Sequence, residues 1–321
     1  MNAKEVNFKS EYFNIIEIAE GVYAVLEKGI GKTGSNAGII DLGKHTVIFD
    51  TFLNMDAAKD LKKASIELTG KEPSYIINSH SHGDHIVGNQ LFKDKGILMS
   101  SPQVRDELIK FKNELKAEKS MYIDRVKELE EALIKEKDEG AIMNLKNELF
   151  FLSNFSRPEL DIWIPEITFE DEIILYGTKR NLQLKTFDIG HSKGDAIAYI
   201  PEEKIYFMGD LLFAKSHPWL GHGNPEEFLT ILRDISKKDI KYFVPGHGPL
   251  ATIEDVYLEI KYIEELLELV EKNNYSEEKQ YSLDEISPEF REWRTLSFNW
   301  NIQFLIERNK EANNKSKCID F

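Results

Sequence analysis

The stretch Tyr75-Ile76-Ile77-Asn78-Ser79-His80-Ser81-His82-Gly83-Asp84-His85 decides how the rest of the chain is read. Its apolar start, Tyr75-Ile76-Ile77, has the character of a buried strand. Three histidines and a carboxylate follow at once. Residues two apart at the end of an extended segment project to one side, so His80 and His82 can grip one cation. Gly83 turns the chain and lets Asp84 and His85 face a second position. Imidazole and carboxylate are the ligands zinc takes when thiolate is absent. Histidines also gather in loops by accident or as a surface patch, but H-x-H-x-D-H directly after a strand favours a metal site.

Working outward, three more ligand-type residues stand beside glycine at expected strand ends. His191 lies in Ile189-Gly190-His191-Ser192-Lys193-Gly194-Asp195, a turn between two strands. Asp210 is expected to end the strand Ile205-Tyr206-Phe207-Met208-Gly209, and His247 follows the strand Tyr242-Phe243-Val244. Loops converge at such ends on a rigid scaffold. Singly, each reads equally well as a loop histidine or a turn-capping aspartate. Jointly they form a constellation.

Strand signals come first in the chain, at 13–18, 21–27, 37–41 and 46–50, separated by glycine-rich turns. Gly31-Lys32-Thr33 lacks the early glycine and the following helix of a phosphate-binding loop, and reads as a hairpin loop. A helix over 55–68 stops at Gly70, and a short strand at 97–99 follows the histidines. Strands resume at 167–169, 172–176, 182–188, 196–200 and 204–208, with a helix over 225–236. The alternation predicts an α/β layered domain.

From Pro102 to Leu152 the chain is rich in Glu, Lys and Leu. Tyr122, Val126, Leu129 and Leu133, then Ile142, Leu145, Leu149 and Leu152, form an apolar seam on each arm of an αα-hairpin. Mutual packing is the plainest use of those seams; a lid over the site or a homodimer contact are the others. No ligand lies inside the hairpin, so 102–152 is expected to be dispensable for the metal site. After residue 253 the chain is helical. A last helix is expected to begin near Pro288 and carry Trp293, Phe298, Trp300 and Phe304, as core with room for one of them to edge the pocket, and the polar tail after Asn309 is expected to fray.

The 321 residues suffice for one large domain, with 41% hydrophobic content for a core. Acidic residues outnumber basic ones 56 to 41, for a net charge of −15, which argues against nucleic acid as a partner. The one cysteine, Cys318, excludes an internal disulfide and a cysteine-based zinc site. No signal peptide or membrane span is evident, and a cytoplasmic protein is expected, without a membrane partner.

The motifs together resemble those of the metallo-β-lactamase superfamily: Asp50 in Val47-Ile48-Phe49-Asp50-Thr51, then His80, His82, Asp84 and His85, then His191, Asp210 and His247, in the family's order. The resemblance covers about residues 12 to 272. It implies a four-layer αββα sandwich over residues 1–272, with the 102–152 hairpin as an insert. Residues 273–321 would form a helical extension packed on the same domain. It also implies that His80, His82 and His191 hold a first metal and that Asp84, His85 and His247 hold a second, with Asp210 bridging. Asp50 would support the site without binding metal. Many β-lactamases of the superfamily carry Cys where Asp210 stands, so the family name does not fix the activity.

Two zinc ions are expected, with iron or manganese as alternatives, and a small-molecule substrate. The expected reaction is hydrolysis of an ester, thioester, lactone or related bond by a metal-bridging hydroxide. Asp84 is a candidate to steer it or take its proton. The loop after Asp210 supplies His217 and His222 as candidate acids or oxyanion partners, and both equally suit ordinary loop positions. Trp219 and Asn89 are placed near the site. No nucleophilic serine motif appears, so no covalent intermediate is expected. An iron-dependent sulfur dioxygenase and a phosphodiesterase are the alternatives, and a non-catalytic metal-binding protein is the least favoured.

Overall fold

The computed structural model describes residues 3–29, 31–293 and 297–319. One sheet runs in chain order through β1 (Lys4–Val6), β2 (Phe13–Ala19), β3 (Val22–Glu27), β4 (Ala37–Asp41), β5 (Thr46–Phe49), β6 (Tyr75–Ile77), β7 (Ile97–Ser100) and β8 (Ile167–Thr168). The strands are antiparallel as far as β5, then parallel from β5 to β8. The second sheet has the order β13-β12-β11-β10-β9, built from β9 (Glu172–Leu175), β10 (Leu182–Thr186), β11 (Ala196–Ile200), β12 (Ile205–Phe213) and β13 (Tyr242–His247).

Alternation along these strands sorts side chains into layers. Val47 and Phe49 face Phe207 and Val244 of the other sheet, while Ile48 between them turns outward onto Ala57 and Leu61 of α1 (Met55–Thr69). Beyond the second sheet, α5 (Pro225–Ile235), α6 (Ile253–Lys272) and α7 (Phe298–Ile319) share a core with Met208 and Phe243. The order is helix, sheet, sheet, helices, the four-layer sandwich that the resemblance implies. Each large aliphatic side chain enclosed this way contributes about 1.5–3 kcal/mol.

The motif after β6 forms a single helical turn, α2 (Gly83–Ile86). The insert is a true αα-hairpin of α3 (Pro102–Lys135) and α4 (Glu139–Phe155), three residues longer than the sequence suggests. Its seam turns inward at Tyr122, Val126 and Leu129, whereas Met121, Ile123 and Ile134 are exposed. The base of the hairpin is part of the domain core. Val104, Leu108 and Leu115 cluster with Leu53, Ile86 and Val87, next to the metal motif. Ser101 caps α3 and also donates to the Gly194 carbonyl at 2.7 Å. A removable segment therefore begins further out than residue 102.

Four points differ from the expected elements. Strand β1, which pairs with β2, carries no strand signal in its polar sequence Lys4-Glu5-Val6. Asp210 does not end its strand: β12 continues to Phe213, buried throughout, with its register broken around Gly209. The glycine adopts φ +52, which lets the strand bend and carry on. Near Pro288 there is only a 3₁₀ turn, Pro288–Phe290, and the helix starts at Phe298. Beyond Asn309 that helix continues to Ile319, and the side chain of Cys318 lies outside the described residues.

Candidate metal centre

Every predicted ligand arrives at one edge of the sandwich. The ligand atoms of His80, His82, His191 and Asp210 lie within 4.8 Å of one another, as do those of Asp84, His85 and His247. Asp210 joins the two groups. Its Oδ2 is 3.6 Å from His80 Nε2 and 3.4 Å from His191 Nε2, while its Oδ1 is 3.1 Å from His85 Nε2 and 3.3 Å from His247 Nε2. Asp84 Oδ2 lies 3.4 Å from His247 Nε2. Two donors bound tetrahedrally at about 2.05 Å from one cation stand roughly 3.3 Å apart. The spacings match that value.

The outward-facing ring nitrogens explain why the inner ones are free. Asp50 accepts from His85 Nδ1 at 2.8 Å, from the Ser79 amide at 2.8 Å and from Ser79 Oγ at 2.7 Å. Ser79 Oγ in turn accepts from His80 Nδ1 at 2.8 Å. His191 Nδ1 donates to the Trp219 carbonyl at 2.9 Å. For His82 the order is reversed: Nδ1 faces His191 Nε2 at 3.0 Å, and Nε2 donates to His222 Nδ1 at 2.8 Å. Each of these rings is thus fixed with a lone pair turned to the centre. Asp50 does this from a left-handed backbone at φ 61, a conformation Asp tolerates better than most residues. Gly246 leaves room for the bridging carboxylate: a Cβ there would stand 1.9 Å from Asp210 Oδ1.

Electrostatics divides the centre in two. Burial pushes His80 and His82 well below the usual imidazole range and His191 down to about 4, so these rings are neutral. In the other group burial again acts to lower His85, but Asp210, Asp50 and Asp84 raise it well above its ordinary value. His247 is raised in the same way, chiefly by Asp210. Three buried carboxylates crowd this side, and protons answer them where no cation does. His80 Nε2, His85 Nε2 and Asp210 Oδ1 have no hydrogen-bond partner although buried. Such a donor set fits a pair of cations.

The remaining candidates fall elsewhere. His222 stands on the exposed rim as the partner of His82. His217 is 1% exposed, borders the cleft, stacks on Tyr262 at 4.7 Å and donates from Nε2 to the Phe290 carbonyl at 2.9 Å. It belongs to neither ligand group. Asn89 is buried and spent on Asn78 and Thr51. The Gly31 loop folds its amides at 32, 33 and 34 onto its own Glu27 carboxylate, as a hairpin loop and not a phosphate cradle.

Sequence reasoning misses Ser79 and the Trp219 carbonyl, whose roles depend on residues far along the chain. It also misses Phe150 and Phe151 in the cleft wall, and it leaves open which aromatic of the last helix edges the pocket; Trp300 stands there. Among the described residues, no helix is long and apolar enough to cross a membrane.

Comparison with known proteins agrees with this geometry. A family model described as the metallo-beta-lactamase superfamily matches residues 30–247. Similar solved structures include a metallo-beta-lactamase from Pontibacter korlensis, at 15% identity and TM-score 0.51, covering 82% of this chain and 99% of that one. TMB-1 aligns at 19% identity and TM-score 0.55, covering 79% and 98%. A metallo-beta-lactamase from Erythrobacter litoralis aligns at 16% identity and TM-score 0.55, covering 82% and 100%. At these identities the likeness concerns the fold alone. No curated protein matches the chain by sequence.

Proposed function

The chain belongs to the metallo-β-lactamase superfamily, and from that membership we propose that it is a zinc-dependent binuclear hydrolase of an ester, thioester, lactone or related small-molecule bond. One observation carries the reading: the two oxygens of Asp210 divide between the two ligand groups. His80, His82 and His191 would hold one cation and Asp84, His85 and His247 the other, with Asp210 shared between them. Bound there, a pair of divalent cations supplies Lewis acidity and lowers the pKa of coordinated water. A mixed imidazole and carboxylate set suits zinc, and iron or manganese take the same donors.

The chain's own groups do the rest. Asp50 and Ser79 hold His85 and His80 in the ligand tautomer, and His222 does so for His82. Asp84 borders the cleft, where its carboxylate can orient the attacking water and accept its proton. His217 keeps its place behind the cleft by its bond to Phe290 and is given no catalytic role.

Metal analysis of protein purified without added metal should find two cations per chain, removable by chelation. Zinc should restore hydrolysis of at least one member of a panel of chromogenic esters, thioesters, lactones, phosphodiesters and cephalosporins. In water labelled with heavy oxygen, one turnover should place the label in product. Label entering the protein first, or turnover that needs iron and oxygen, overturns the reading.

A further inference from the structure

The cleft above the ligands has a volume of about 800 Å³, within the range of small-molecule sites. Its floor is polar: His82, Asp84, Asp210 and His247. Its walls are aromatic, and most of their rings come from helices and a loop rather than from the strands. Phe150, Phe151 and Phe155 stand on α4, Trp300 on α7 and Trp219 on the loop after β12. Trp219 and Trp300 meet at 6.1 Å on one side, and Phe150, Phe151 and Phe155 form a chain of edge contacts at 6.0 and 6.2 Å on the other.

Two of these rings are left in water: Phe151 is 38% exposed and Trp300 60%. Among the described residues lining this cleft there is no Lys or Arg, and the carboxylate of Glu148 is already paired with Arg125 at 2.9 Å. A second recess of about 430 Å³ shares His82, Gly83, Phe155 and His222 with the first, and it is charged, with Glu107, Lys110 and Lys193. The two lobes differ in kind. One rewards apolar contact; the other accommodates polar groups.

We propose that the substrate carries an uncharged, apolar aliphatic or aryl arm that lies between the α4 phenylalanines and Trp219–Trp300. This inference rests on the hydrolase reading for the bond that is cleaved, and not for the arm that is held. Covering the exposed faces of Phe151 and Trp300 supplies the affinity, because apolar area leaves water on both partners. An anionic arm would lose hydration against those rings without finding a Lys or Arg among the described lining residues, and a cationic arm would meet only carboxylates already committed, Asp84 and Asp210 to the ligand groups and Glu148 to Arg125.

The test separates holding from cleaving. Neutral n-alkanamides from acetamide to decanamide are titrated into the metal-loaded protein and read by tryptophan fluorescence, with Trp300→Phe to assign the signal. Affinity should rise about two- to fourfold per added methylene, the range set by partial to full burial. Phe151→Ala and Trp300→Ala should flatten that rise. Both side chains are partly solvated, so these variants should fold, which circular dichroism checks. Affinity independent of length, or tighter binding of arms ending in carboxylate or trimethylammonium, overturns the inference. In parallel, p-nitrophenyl esters from acetyl to decanoyl and acetyl esters of n-alkanols are assayed for kcat/KM. Ester turnover with flat amide binding sinks the apolar arm and leaves the hydrolase standing. Length-dependent binding with no hydrolysis of any acyl compound does the reverse.

Discussion

The candidate ligands stand on β12 and β13 or in the turns that follow β6 and β10, whereas the wall above them comes largely from α4, α7 and the loop after β12. His85 and His191 are fully buried, each with its outer nitrogen committed to a named acceptor. Phe151 and Trp300, on the wall, keep more than a third of their surface in water. Buried, hydrogen-bonded groups have one arrangement, because any other leaves polar atoms unpaired at about 1–3 kcal/mol each. Exposed rings on appended helices are under no such constraint. Chemistry is thus fixed by buried, bonded groups, and what is held for it is set by exposed rings such as Phe151 and Trp300, which hold no candidate ligand.

The heaviest blow to that division is Asp210→Ala. Removing the shared carboxylate should empty both ligand groups and lower turnover roughly a thousandfold, since Lewis-acid stabilisation is worth several kcal/mol. Metal content and rate are measured together. Retention of both cations would refute the bridge and with it the claim that the two groups act as one centre. Asp50→Ala should cost less: about 10- to 100-fold in metal affinity, the usual penalty for losing an orienting partner. It strips acceptors from His85 Nδ1, Ser79 N and Ser79 Oγ at once. Competition with a chromogenic chelator reads the affinity, and unchanged affinity would mean that packing alone orients His85.

The same division explains what is legible in the sequence. H-x-H-x-D-H is local, and the residues that complete it sit beside glycines, so residue order together with the family resemblance names the candidate ligand set. Asp210 is legible as a ligand but not as a mid-strand residue, because a buried strand that bends at Gly209 reads like one that stops. Ser79 adjoins His80, yet its purpose depends on Asp50, 29 residues earlier. The wall is hidden for a different reason. On a helix, aromatics at 150, 151 and 155 look like a packing seam, and only the fold shows that they face the cleft. Trp300 reads as core from its neighbours Phe298 and Phe304, and Pro288 draws the expected start of its helix ten residues too early.

A finer contrast lies inside the centre. The first group meets a cation with neutral rings, His191 titrating at about 4, while His85 and His247 are held above the ordinary imidazole value. A proton on a ring must leave before the cation can bind. Raised values therefore weaken metal binding as soon as pH falls, and lowered values defer the loss. On acidification from about pH 8, the cation at Asp84, His85 and His247 should leave first, and with two protons competing its affinity should fall by more than tenfold per pH unit. The cation at His80, His82 and His191 should persist to about pH 5. Metal content after dialysis at each pH, with cobalt absorption to tell the sites apart, checks the order. Simultaneous loss would show that the bridge equalises the two groups.

The smallest effect is expected at the far end of the wall. Arg125 pairs with Glu148 at 2.9 Å, so residues 128 and 145 face each other across the hairpin. Helices packed about 8–10 Å apart can be joined by a Gly-Ser linker of roughly four residues, which reaches ~14 Å. Replacing residues 130–143 in this way removes the tip, including the exposed Ile134, but keeps the buried Leu129 in the seam and Val104, Leu108 and Leu115 over Ile86 and Val87. It also keeps Phe150, Phe151 and Phe155 on the cleft. Metal content should stay at two cations and turnover should change by no more than about twofold, since surface changes away from the site are worth about 0.5 kcal/mol or less. Deleting the whole of 102–152 instead would uncover Ile86 and Val87, and metal should be lost with the core. If the short deletion also empties the site, the tip braces the sandwich, and the line drawn between scaffold and wall is in the wrong place. If it leaves the metals but changes the association state by sedimentation, the exposed tip is a contact between copies of the chain.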